Sequence, residues 1–86
     1  SHLAPRALYA MAQLQANKKQ MTESLRNLAL IEKNYPKSSR AVSAKFLKAM
    51  IFKKIYLPEQ SASVLQEIQK KFPGSPESFR AQTELK

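Results

Sequence analysis

The feature that most constrains this chain is that it matches itself when shifted by 37 residues. Tyr35-Pro36-Lys37-Ser38 returns as Phe72-Pro73-Gly74-Ser75, and the likeness runs out along both flanks. Ala7, Ala44 and Ala81 fall in one column. Ala12 falls on Ala49, Ser24 on Ser61, Leu28 on Leu65, Ile31 on Ile68 and Lys33 on Lys70. A fixed period of this size means one supersecondary unit used more than once. With a single Gly, few β-branched residues and abundant Ala, Leu, Lys, Glu and Gln, that unit is helical.

The first helix is expected from about Ala4 to Asn17, with Pro5 in the first turn, where its missing N–H costs nothing. Leu8, Met11, Ala12 and Gln15 form its stripe, which Ala7 and Leu14 widen. Asn17-Lys18-Lys19-Gln20 reads as a hairpin turn. Thr22 is the expected N-cap of the second helix, whose stripe is Leu25, Leu28, Ala29, Ile31 and Tyr35. Pro36 stops that helix, because a residue before proline is pushed out of the α region.

Ser38 should cap a third helix over Ser39 to about Ile55, with Val42, Phe46, Ala49, Met50 and Tyr56 on one arc and Leu47 at its edge. Apolar residues nearly surround its second half, so it should be the most buried element. Leu57-Pro58-Glu59 opens a fourth helix with the stripe Ser61, Val64, Leu65, Ile68 and Phe72. Ser75-Pro76-Glu77 then supplies cap, first-turn proline and first-turn acid for a fifth helix carrying Phe79, Ala81 and Leu85. Ser1-His2 reads as the remnant of a cleaved purification tag, and the rest as a single domain cut from a longer protein.

Two helices, a corner proline and a period near 34 resemble the tetratricopeptide (TPR) repeat. Ala12 and Ala49 stand at the family's small residue in the first helix. Ser24 and Ser61 stand at the small residue early in the second. Leu28 and Leu65, Ile31 and Ile68, then Pro36 and Pro73 follow in the family's order. The longer period and the aromatic-Pro-x-Ser corners resemble TPR proteins of the bacterial cell envelope, such as the Tol-Pal coordinator, the outer-membrane assembly lipoprotein and exopolysaccharide export proteins. The resemblance implies an all-α, right-handed α-solenoid of antiparallel helix hairpins. Repeat one spans about 4–36 and repeat two about 38–73, with a capping helix at about 75–86. Each hairpin has more apolar surface than it can bury alone, so neighbours seal one another.

Catalysis has little to work with. There is no Asp, Cys or Trp, the only histidine is His2, and the one glycine excludes phosphate-cradling glycine loops. The six Glu are scattered, which fits solvated helix surface and no metal cluster. No cofactor is expected, and no apolar run is long enough to span a bilayer. The formal charge of +9 speaks instead about partners.

By the family resemblance, first helices line a partner-binding groove. Its positions here are Arg6, Tyr9, Gln13 and Asn17, then Ser43, Phe46, Met50, Lys53 and Lys54, then Arg80 and Thr83. Phe46 and Met50 read equally well as core. The set implies a non-catalytic adaptor for a protein or peptide, one that is acidic or bears a free carboxylate. The alternatives are a stacking spacer that self-associates or joins flanking repeats, and a polyanion or anionic-membrane contact through Lys37, Arg40, Lys45 and Lys48. Nucleic acid is disfavoured because the aromatics Tyr35, Phe46, Phe72 and Phe79 lie on expected core stripes.

Overall fold

The computed structural model describes residues 4–86, so Ser1-His2 lies outside the described residues. They form five α-helices and, among the described residues, no strand: α1 (Pro5–Asn17), α2 (Met21–Asn34), α3 (Ser39–Lys54), α4 (Pro58–Lys71) and α5 (Pro76–Glu84). This is an all-α helical-repeat fold of the class expected, consistent with an α-solenoid. The chain divides into two compact units, with the boundary inside α3 between Ala44 and Lys45.

In the first unit α1 packs against α2. Leu8 and Ala12 of α1 and Ser24, Leu28 and Ile31 of α2 are buried, as are Ala41, Val42 and Ala44 at the start of α3. In the second unit the rest of α3 buries Phe46, Ala49 and Ile51, and α4 buries Ser61, Val64, Leu65 and Ile68. No helix has more buried positions than α3, as its nearly continuous apolar surround requires.

The repeat is exact to the hydrogen bond. Ser24 Oγ donates to the Ala12 carbonyl oxygen at 2.7 Å, and Ser61 Oγ donates to that of Ala49 at 2.7 Å. Each bond joins the two helices of a hairpin at the alanine where they cross. The corners also coincide: Tyr35 (φ −133°, ψ 52°) and Phe72 (φ −132°, ψ 55°) end α2 and α4 in the same conformation. Ser38 Oγ then accepts from the Arg40 N–H at 3.0 Å, and Ser75 Oγ from the Ser78 N–H at 3.1 Å, capping α3 and α5 as expected.

The turns inside the hairpins carry a third equivalence. Lys19 (φ 63°) and Tyr56 (φ 66°) adopt the left-handed conformation. Gln20 N–H reaches Gln15 O and Lys19 N–H reaches Ala16 O, while Leu57 N–H reaches Phe52 O and Tyr56 N–H reaches Lys53 O. Both first helices therefore close in a Schellman motif, with a side chain where glycine is usual.

Several expectations are corrected. Thr22 does not cap α2; the Schellman turn delivers the chain in helical register at Met21, with Gln20 before it. Tyr56 leaves the core arc and is 89% exposed, because the left-handed turn points it away from the helix face it would have extended. Phe79 is 64% exposed, and the inward face of α5 is Ser78 and Ala81. Leu14 (60% exposed), Ala7 and Ala29 lie off the buried stripes, which are narrower than apolar spacing alone suggested.

Candidate functional site

Within the first unit, α1 directs Arg6, Tyr9, Ala10 and Gln13 to one side, each one helical turn or less from the next. Together with Arg40 from the first turn of α3 they line an open depression of about 230 Å³. The Arg40 guanidinium lies 5.7 Å from the centroid of the Tyr9 ring. Three expected groove residues and one residue of the expected basic patch thus share a wall. Asn17, at the far end of α1, is exposed and does not line it. The depression offers two guanidinium groups, a primary amide and a half-buried phenol, a donor-rich set suited to carboxylates.

In the second unit the column of Tyr9 is filled by Phe46, which is 5% exposed. Arg80 of α5 places its guanidinium 4.3 Å from that ring's centroid. In both pairs an aromatic in the same repeat column lies near an arginine, Tyr9 near Arg40 of α3 and Phe46 near Arg80 of α5, although the arginines themselves stand in different columns, Arg40 falling on Glu77 and Arg80 on Ser43. Phe46 accordingly serves as core, with Arg80 as the solvent-facing group above it. Met50 and Ser43 are half-buried, and Lys54 and Thr83 are exposed. Lys53 is tied to Glu84 of α5 at 2.6 Å.

The basic stretch is not a uniform solvated face. Lys37 is exposed, but Arg40, Lys45 and Lys48 are half-buried. Lys45 donates to Glu67 Oε2 at 2.8 Å, and Lys71 reaches the same oxygen at 3.2 Å. The Lys45 ammonium, helped by Lys71, holds the Glu67 carboxyl below its ordinary value against the opposing effect of burial. Among the described residues no group of three metal-ligating side chains gathers, and no helix is long and apolar enough to cross a membrane.

A second depression, of about 260 Å³, was not foreseen as a site. It lies on another side of α1 and is lined by Met11, Leu14, Gln15, Lys18 and Gln20.

The family model described as tetratricopeptide repeat matches residues 6–38, which span α1, α2 and the corner through Ser38. No curated protein and no solved structure matches the chain. The family match supports a tetratricopeptide repeat in the first hairpin, and the 37-residue equivalence carries the same design into the second. Repeats of this family generally mediate protein–protein interaction and are typically non-enzymatic.

Proposed function

We propose that this chain is a non-catalytic interaction module that binds an acidic protein or peptide segment across the α1 face of its first unit. The observation that carries this reading is the convergence of Arg6, Tyr9, Gln13 and Arg40 on one open depression with no carboxylate in its lining. Arg6 and Arg40 supply bidentate donors for a side-chain or C-terminal carboxylate, and Tyr9 gives an apolar floor already stacked beneath one guanidinium. The formal charge of +9 speeds encounter with an acidic partner. On the second unit, Lys54, Arg80 and Thr83 offer further polar contacts. The aromatic-Pro-x-Ser corners extend the proposal to a place in bacterial envelope assembly.

Selection from a random displayed peptide library is the direct test. Binders should be enriched in Glu, Asp or a free C-terminus, and the double variant Arg6→Glu/Arg40→Glu should lose them while its far-UV spectrum stays helical. Binders without acidic bias, or binding indifferent to the double reversal, would overturn the assignment.

A further inference from the structure

The two hairpins close in the same turn but fill it with opposite chemistry. Asn17-Lys18-Lys19-Gln20 stands in the columns of Lys54-Ile55-Tyr56-Leu57. Both stretches carry the same pair of closing hydrogen bonds, and Lys19 and Tyr56 share the left-handed conformation. The first turn is polar throughout and exposed. Its backbone geometry therefore makes no demand for apolar side chains. The second turn nevertheless holds Ile55 at 37% exposed and Tyr56 at 89% exposed, with Leu57 half-buried. Core packing does not account for the Tyr56 ring, and its backbone conformation is one that glycine adopts at less cost. The turn lies inside the second unit, between α3 and α4, with α5 following. The first turn stays exposed with a further hairpin after it, so exposure is a property of these turns.

We infer that the Ile55-Tyr56-Leu57 tip is an anchor that inserts into the headgroup region of an anionic bilayer. A phenol has an apolar body and a polar tip, which suits the boundary between headgroups and acyl chains. Size selects a bilayer over a protein. A stable protein interface needs about 800 Å² from each partner, and this tip offers three side chains beside charged neighbours. Close to it Lys53 and Lys54 stand against Glu59 and Glu84, and Glu84 already holds Lys53 at 2.6 Å. The attraction is therefore that of the whole chain, at +9, toward an anionic surface. Charge brings the chain to the surface, and the tip holds it there. The closing hydrogen bonds fix the turn, so the ring is presented without further ordering of the backbone.

The probe is vesicles of phosphatidylglycerol and phosphatidylcholine in equal parts, compared with vesicles of phosphatidylcholine alone. The chain has no tryptophan, so Tyr56→Trp places a single reporter at the tip of the intact 86-residue chain. Its emission should shift to the blue with the anionic vesicles at low salt, and the shift should fade as salt rises. Neutral vesicles should leave it unchanged. Tyr56→Lys and Ile55→Lys give the second turn the side chains of the first. Each adds a positive charge, yet each should weaken co-sedimentation with anionic vesicles about tenfold. Both positions are exposed, so the far-UV spectrum should stay helical. Tyr56→Gly should weaken binding as much, without a fall in melting temperature. The inference is overturned by unshifted emission of Tyr56→Trp, by an equal shift with neutral vesicles, or by lysine variants that bind as tightly as the parent chain. Self-association that Tyr56→Lys abolishes would also overturn it, by making a second copy the occupant.

Discussion

The Ser24 hydroxyl donates to the Ala12 carbonyl across the first hairpin at 2.7 Å, and both residues are fully buried. The bond explains why a serine stands at a helix crossing where alanine would pack as closely. It gives the hydroxyl a partner in a place water does not reach, and it fixes the sliding register of α2 on α1. Ser61 and Ala49 repeat it at the same length in the second hairpin.

Ser24→Ala and Ser61→Ala should therefore each lower unfolding stability by about 1 kcal/mol, the net worth of one buried neutral hydrogen bond. The Ala12 and Ala49 carbonyls lie within helices, which limits the loss. Ser24→Val, which adds bulk at the crossing as well, should cost about 1–3 kcal/mol. Urea titrations of the three variants test the order. Equal stability of Ser24→Ala and the parent chain would remove the bond from the account.

Lys19 and Tyr56 each hold a left-handed conformation that costs an L-residue about 1–2 kcal/mol and glycine far less. Lys19→Gly and Tyr56→Gly should stabilise by about 0.5–1 kcal/mol each, after the greater chain entropy of glycine is set against the relieved strain. For a domain this small, that is a rise in melting temperature of about 2–8 °C. Tyr56 is nearly fully exposed, so its replacement removes little packing. A fall in melting temperature for both variants would mean the side chains hold the turns.

Helix boundaries were legible in the sequence because prolines and capping serines mark them locally, as at Pro36, Ser38, Pro58 and Ser75–Pro76. The left-handed turns were not, because Lys19 and Tyr56 carry no glycine to announce them. Apolar spacing also misjudged Leu14 and Phe79. Periodicity shows which side of a helix is apolar, but exposure depends on whether another helix arrives to cover it. The Tyr9–Arg40 and Phe46–Arg80 pairs join residues on separate helices, so no local spacing reveals them. The repeat does not reveal them either: it places Tyr9 and Phe46 in one column, but Arg40 falls on Glu77 and Arg80 on Ser43.

Arg80 caps the Phe46 ring at 4.3 Å, a contact worth about 0.5–1 kcal/mol at a solvent-facing position. Arg80→Ala should cost about that much, and Phe46→Ala about 3–5 kcal/mol, since it empties a core position. In the double variant, Arg80→Ala should add almost nothing to Phe46→Ala. Additive losses would show that Arg80 acts through something other than the ring.

Glu67 gives the chain an acid-sensitive contact. Its folded carboxyl is held below the ordinary value of 4.5, chiefly by the Lys45 hydrogen bond. A depressed folded value means the stabilisation is present above the unfolded value and is lost as pH falls through the folded one. Melting temperature should thus drop as pH is lowered from 6 to below 4, and Glu67→Gln should start lower at pH 6 and drop less. Parallel curves for the two proteins would show that Glu67 contributes nothing to acid sensitivity.

Lys53 is both an expected groove residue and the partner of Glu84 on α5. Reversing its charge alone sets two carboxylates against each other and loosens α5, so reduced partner capture by Lys53→Glu has two causes. Lys53→Glu/Glu84→Lys restores the ion pair while keeping the groove charge reversed at position 53. The exposed pair is worth at most about 1 kcal/mol, so Lys53→Glu should raise amide exchange in α5 with little change in the rest of the second unit. The exchanged pair should recover that protection, and Lys54→Glu should leave it untouched. If binding recovers together with α5 protection in the double variant, Lys53 supports the fold of the second unit. If binding stays lost, it contacts the partner.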